Sequence, residues 1–246
     1  MLNIVVPMAG LGSRFSQVGF DLPKPLISVR GKPMIEQVID NVRPDTDHRF
    51  IFVVLEEHLA SFDLASRLQV MAPGCEIVTV PELTGGAAMT VLAARPLIDR
   101  ADPLLIANSD QMVLPDIRAY IRHSLASGLD GVILTMPASD PKWSFVELDA
   151  AGHVMRVVEK EVISETATVG IYHFASGAAF VRATDAMIDA GDQVNGEYYV
   201  APVYNHVIRA GGTIGVFDAG AEGEAFWGLG TPFDLYRFLE FAPAEP

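Results

Sequence analysis

Ile4-Val5-Val6-Pro7-Met8-Ala9-Gly10-Leu11-Gly12-Ser13-Arg14-Phe15 is the stretch on which the fold turns. It starts as a continuous apolar run, rich in β-branched residues and closed by glycines, as a strand buried on both faces would be. Glycines directly after such a strand let backbone N–H groups approach an anion closely. Two phosphate-binding loops are excluded. Phe15 stands where the dinucleotide fingerprint G-x-G-x-x-G needs its third glycine, and no G-K-[ST] closes a Walker A loop. What remains is a glycine loop followed by Arg14 and then by Leu22-Pro23-Lys24-Pro25-Leu26.

Outward from this stretch, short apolar runs alternate with helical patterns. Pro33 opens a helix through Met34, Ile35, Val38, Ile39 and Val42. Strands are predicted at Phe50–Leu55, Glu76–Val80, Leu104–Ala107 and Gly131–Met136, with helices at Ala87–Arg95 and Pro115–Ser127. This βαβ alternation predicts an α/β fold with a doubly wound, mostly parallel sheet. After Pro137 the pattern changes to a hairpin (Phe145–Asp149 and Val154–Val158), a strand at Thr168–Phe174 and helices at Ala178–Ala190 and Tyr199–Ala210. A strand at Thr213–Asp218 and a helix at Thr231–Phe241 follow, and no linker or internal repeat divides the chain.

Composition narrows the partners. The 246 residues carry 17 Lys and Arg against 31 Asp and Glu, a formal net charge of −14, which disfavours a nucleic-acid backbone as partner. Within residues 1–35, however, Arg14, Lys24, Arg30 and Lys32 face Asp21 alone, a local basic excess suited to a compact polyphosphate. One cysteine, Cys75, excludes an internal disulfide framework and fits a reducing, cytoplasmic setting. The first residues have no basic n-region, so no signal peptide is expected, and no apolar stretch is long enough for a membrane span. The six histidines show no metal-ligand spacing, and no G-x-S-x-G elbow is present.

Pro7 to Arg14, together with Pro23-Lys24-Pro25-Leu26 and Gly31-Lys32-Pro33-Met34-Ile35, resembles the amino-terminal signature of the sugar-phosphate nucleotidyltransferases, relatives of the phospho-alcohol cytidylyltransferases. The resemblance implies a Rossmann-like fold with a small β-rich, acceptor-side elaboration. It implies one domain over 1–246, with residues 1–137 holding the nucleotide and 138–246 the acceptor. The implied activity is transfer of a nucleotidyl group from an NTP to a phosphorylated small molecule, such as a sugar 1-phosphate, with release of pyrophosphate and use of Mg²⁺. Supply of precursors for surface polysaccharide is the expected role.

The same resemblance assigns residues. Arg14, Lys24 and Asp110 are implied as catalytic. Met8, Ala9, Gly10, Leu11, Gly12, Ser13, Glu82, Gly85, Gly86, Ala87 and Ser109 are implied to contact the nucleotide. Glu159 and Lys160 resemble the family's E-K pair, Gly170 its glycine-containing strand, and Asn195, Glu197 and Tyr198 its acceptor loop, with Lys142-Trp143-Ser144 lining the same cleft. Asp110 is also the implied metal ligand, since a carboxylate at the carboxyl end of a parallel strand points into the ligand crevice. One departure stands out: in Phe226-Trp227-Gly228-Leu229-Gly230-Thr231-Pro232, Gly228 occupies the place of the family's second metal-binding Asp, so either one protein carboxylate suffices or another acid, such as Asp218 at the neighbouring strand end, substitutes. A nucleotide-sugar-dependent glycosyltransferase and a non-catalytic nucleotide sensor remain as alternatives at this level. Phe233, Tyr236, Phe238 and Phe241 could cover a core or a partner subunit in a homo-oligomer.

Overall fold

The structure, a computed structural model, describes residues 1–114 and 116–242. Its first half builds β1 (Leu2–Met8), α1 (Ser13–Ser16), the short pair β2 (Ser28–Val29) and β3 (Lys32–Pro33), then α2 (Met34–Val42) and β4 (His48–Leu55). α3 (Glu56–Ser61), α4 (Leu64–Met71), β5 (Glu76–Val80), α5 (Ala87–Leu92), α6 (Arg95–Ile98) and β6 (Leu104–Ala107) complete the winding. β5 and β6 have the predicted bounds, and the helix expected over Ala87–Arg95 is divided into α5 and α6.

The second half supplies β7 (Gln111–Val113), α7 (Arg118–Ala126), β8 (Gly131–Pro137), the hairpin β9 (Ser144–Leu148) and β10 (Val154–Glu159), and β11 (Thr166–Phe174). Pro115, where a helix was expected to start, lies outside the described residues. α8 (Gly177–Asp189), α9 (Val203–Arg209), β12 (Ile214–Asp218), β13 (Phe226–Gly228) and α10 (Pro232–Phe241) follow. α9 begins at Val203 rather than Tyr199, because Tyr198 and the residues after it are used in loop contacts described below.

Among the described residues, nine strands form one sheet, with β10-β9-β11-β6-β1-β4-β5 as its path and β8 and β12 attached beside β11. β1, β4, β5 and β6 pair in parallel, as do β8 and β12, while β11 and β10 run against the rest. The sheet is thus mostly parallel in strand direction, and the antiparallel strands enter where the second half attaches. Strand alternation explains the two-sided burial. Ile4, Val6 and Met8 face a core under α2, α4 and α7, whereas Val5 faces one under α5, α8 and α9.

A third apolar cluster joins Phe15, Met34, Trp227 and Leu229 to Leu235 and Phe238 of α10. Phe15 is therefore an anchor: its ring meets Phe20 edge-on at 5.3 Å and is buried, which pins the segment carrying Arg14. Arg30, expected in a phosphate-binding segment, donates instead to the carbonyls of Phe238 and Ala242 at 3.3 and 2.7 Å, where a cation complements a helix C-terminus. Lys32 likewise pairs with Asp40 at 2.7 Å. Of the four basic residues in the opening segment, Arg14 and Lys24 are the ones that line a cavity of the crevice. Phe233, Tyr236 and Phe241 are exposed on α10, while Phe238 is buried in its core.

Candidate active site

β1 and β6 are neighbours, with Val5 opposite Ile106, so the loop after Met8 and the loop after Ala107 emerge side by side at the carboxyl ends of parallel strands. Lys24 Nζ donates to Asp110 Oδ2 across 2.6 Å between these two loops. Gly12 makes the approach possible. It has φ of +63°, and a Cβ there would lie 3.0 Å from Lys24 Cβ.

Asp110 is braced from below. β7 pairs with β13 so that Gln111 faces Gly228, and the Leu229 N–H donates to the Asp110 carbonyl at 2.6 Å. The three-residue pairing brings Trp227-Gly228-Leu229-Gly230 against Asp110 from more than a hundred positions away in sequence. A Cβ at Gly230 would lie 3.2 Å from Asp110 Oδ2, so small residues here leave the carboxylate its space.

Three cavities with shared lining residues lie along the crevice, Lys24 lining the first and Asp110 the second. The first, about 310 Å³, is lined by Met8, Ala9, Gly10, Gly12, Lys24 and, opposite, by Thr84, Gly86, Ala87 and Ser109. Leu11, Ser13, Glu82 and Gly85 of the expected nucleotide set do not line it. The second, about 290 Å³, contains Asp110, Arg14, Lys142 and Lys160 with Gly228, Gly230 and the start of α10. The third, about 400 Å³, is floored by Asn108, Gln111, Ser144, Glu159, Thr168 and Tyr172. Arg14, Lys142 and Lys160 line both the second and the third, and Glu197 lines the first and the third.

The third cavity carries the most unusual chemistry. Gly170 has φ of +82°, and a Cβ there would lie 2.2 Å from Gln111 Oε1 and 2.3 Å from Asn108 Nδ2. The bare backbone at Gly170 is what lets two amide side chains stand at the cavity floor. Gln111 lines this cavity, and its Oε1, packed against Gly170, is buried with no hydrogen-bond partner among the described residues. Glu159 is buried and accepts from the Ser144 hydroxyl. Desolvation pushes its carboxyl above the usual range, partly opposed by that hydrogen bond and by Lys160. Lys160 has φ of +57° and donates to Tyr199 Oη at 2.5 Å, a bond that raises its own ammonium pKa.

The acceptor-loop assignments divide. Glu197 reaches two cavities and Tyr199 one, but Asn195 and Tyr198 line none of the three. Asn195 takes a left-handed turn position, φ +52°. Tyr198 serves through its main chain, donating to Gly85 O at 2.8 Å and accepting from Ala88 N at 3.0 Å. Its carbonyl would lie 2.5 Å from a Cβ on Gly86, so Gly86 permits the loop to lie against α5. Main-chain roles of this kind leave no mark in the identity of the side chain.

For a metal, Asp110 is the carboxylate at the Lys24 side of the crevice, and Gly228 brings no second one. Asp218 lies at the end of β12, opposite Thr135, lines none of the three cavities and accepts from Gly220 N at 2.9 Å. Strand-end proximity in sequence did not translate into proximity in space, because β12 sits at the far side of β8. Glu222 and Asp234 are the acids that share the second cavity with Asp110. Asp234 is engaged by Thr231 in the N-terminal cap of α10, with Thr231 Oγ1 donating to it at 2.6 Å. Among the described residues no group of three His, Cys, Asp or Glu is placed to hold a metal by itself. Mg²⁺ is usually held by one or two carboxylates together with substrate phosphates, so Asp110 alone suits an ion that arrives with a triphosphate.

A strand-end carboxylate beside a glycine loop, with cations around it, marks an α/β crevice suited to an anionic ligand. Residues 4–201 match the family model described as nucleotidyl transferase, and the chain belongs to that family. Among curated relatives, the bifunctional protein GlmU of Burkholderia thailandensis is 30% identical over 218 residues, covering 85% of this chain and 45% of that protein. The chain thus spans about half the length of the curated relatives it matches. A nucleoside-diphosphate-sugar pyrophosphorylase from Vibrio cholerae RC9 superposes with a TM-score of 0.77 at 25% identity, covering 96% of this chain and 99% of that one. The inositol-1-phosphate CTP transferase of T. maritima shares the fold, with a TM-score of 0.72 at 15% identity over 99% and 97% of the two chains.

Proposed function

We propose that the protein transfers a nucleotidyl group from an NTP to a sugar 1-phosphate or a similar phosphorylated small molecule and releases pyrophosphate. The observation that carries this reading is the Lys24–Asp110 pair, Lys24 lining the glycine-loop cavity and Asp110 the second cavity, which shares Arg14 and Lys160 with the third. Residues 1–137 act as the nucleotide half and 138–246 as the acceptor half of one domain. The first cavity takes the nucleoside, with Gly10, Gly12, Gly86 and Ala87 allowing close approach. The third takes the acceptor, its polyol hydroxyls meeting Glu159, Gln111, Asn108 and Glu197.

A phosphate oxygen of the acceptor attacks the α-phosphorus, the bond from that phosphorus to the bridging oxygen of the β-phosphate breaks, and pyrophosphate departs with the electron pair. The acceptor already carries an anionic nucleophile, so the protein's part is alignment and charge neutralisation by Arg14, Lys24 and Lys160. Mg²⁺ held by Asp110 and the substrate phosphates would add charge neutralisation at the same place. No helix of the described residues is long and apolar enough to cross a membrane. A cytoplasmic setting and a role in precursor supply for polysaccharide complete the proposal. A panel of four NTPs against hexose 1-phosphates and small phospho-alcohols, followed by pyrophosphate release, tests it. Release that depends on one NTP and one acceptor class is the expected result.

A further inference from the structure

Lys142 lies on the connection between β8 and β9, and no part of the transfer reading just given uses it. Its side chain lines the second and third cavities, as do those of Arg14 and Lys160. The neighbouring Trp143 touches the Lys142 ammonium through its ring and the Lys160 main chain through its carbonyl. Lys142 Nζ stands 4.7 Å over the Trp143 ring, and Trp143 O accepts from the Lys160 N–H at 3.0 Å. The ring is itself fixed by Phe226 of β13, edge-on with centroids 5.7 Å apart. Trp143 also approaches the departure from the family pattern: a Cβ on Gly228 would lie 3.7 Å from Trp143 Cη2. Gly228 itself brings no carboxylate to the cleft, and the Lys142 ammonium is held on the adjacent ring.

Lys142 is bound in a way that can be exchanged. Its nearest acid is Glu222 Oε1 at 3.3 Å, with Asp140 at 4.0 Å, and the Lys142 side chain is 45% exposed. Exposed pairs of this kind contribute little and are readily replaced by a more highly charged partner. Lysine, a point charge on a flexible stem, tolerates such an exchange of partners. A phosphoryl group in the space shared by the two cavities would meet Arg14, Lys142 and Lys160 together.

We infer that Lys142 is a further phosphoryl-binding residue of this crevice and that Glu222 is its resting partner, displaced when a phosphorylated ligand enters. The inference rests on the transfer reading for its choice of ligands, either the acceptor phosphate or pyrophosphate. Calorimetric titration of the whole protein with glucose 1-phosphate and, separately, with inorganic pyrophosphate tests it in wild type, Lys142→Ala, Lys142→Arg and Glu222→Gln. Lys142→Ala is expected to weaken binding about tenfold for the ligand whose phosphate sits there, a charge-assisted bond being lost. Lys142→Arg should keep wild-type affinity, and Glu222→Gln should match or exceed it. Unchanged affinity of Lys142→Ala for both ligands overturns the inference, as does equal weakening in Lys142→Ala and Glu222→Gln. Wild-type protein that binds either anion through Lys142 yet never transfers a nucleotide contradicts the proposed reaction and leaves this binding role standing.

Discussion

Lys24 Nζ meets Asp110 Oδ2 at 2.6 Å, closing a contact between the loop after β1 and the loop after β6. Both side chains are about one fifth exposed, 21% and 18%, so the pair faces the crevice rather than the core. In this position each group is open to a ligand in the crevice, and its removal is expected to act on turnover more than on folding. Lys24→Ala and Asp110→Ala should each lower kcat by about a hundredfold or more, the usual loss when a charge-stabilising group is removed from a reacting centre. Thermal midpoints should move little. Rates of pyrophosphate release and unfolding curves for the two variants check this.

Gly170→Ala introduces a Cβ that would lie 2.2 Å from Gln111 Oε1, in a backbone with φ of +82°. The variant should lose about 1–3 kcal/mol of stability, from backbone strain and the displaced amides. Its KM for the acceptor should rise more than its KM for the NTP. Urea denaturation and a two-substrate kinetic series read the two effects separately.

How far the chain could be read before its structure follows from the range of the interactions. β1 with its glycine loop, and β6 to the residue, were legible because burial on both faces writes a continuous apolar run into the sequence, while the half-buried edge strand β5 was legible from its β-branched residues Ile77, Val78, Thr79 and Val80. The pairing of β7 with β13 was not, since three residues on each side carry no periodicity and the partners are distant in sequence. That pairing is what makes Gly228 a neighbour of Gln111 and leaves Asp218 elsewhere. Tyr198 belongs to the loop that resembles the acceptor loop yet meets α5 by its main chain, and Arg30, part of the basic excess in residues 1–35, is engaged by the carbonyl end of α10. Local charge identified the right segment but could not separate a cation on a cavity from one on a helix end.

Glu159 is buried, and desolvation raises its carboxyl pKa above the ordinary value of 4.5. Below that value the carboxyl is protonated whether the chain is folded or not, and the group costs nothing. As pH rises, the unfolded chain ionises first, so folding loses stability until the folded pKa is passed. Glu159→Gln should therefore raise the thermal midpoint at pH 7.5, with the gain shrinking toward pH 4.5. Acceptor affinity should fall in the same variant. Midpoints of both proteins across that range decide the matter.

His173 on β11 is buried, and both ring nitrogens lack a partner among the described residues. Desolvation lowers its pKa from 6.5 to about 4. Above pH 6.5 the group is neutral in both states; below it the unfolded chain takes up a proton that the folded chain refuses. Wild-type stability should accordingly drop by about 3 kcal/mol from this residue between pH 6.5 and 4. His173→Phe should flatten that part of the profile, as measured by denaturant unfolding at a series of pH values.

The most direct test of nucleotidyl transfer at this crevice is pyrophosphate release measured with Mg²⁺ and an NTP, with and without a phosphorylated acceptor, for wild type and Asp110→Ala. Acceptor-dependent release by wild type, matched mole for mole by the nucleotidylated acceptor and nearly abolished in Asp110→Ala, is the predicted result. No release from any of the four NTPs with any acceptor of the panel, or wild-type rates in Asp110→Ala, would contradict it.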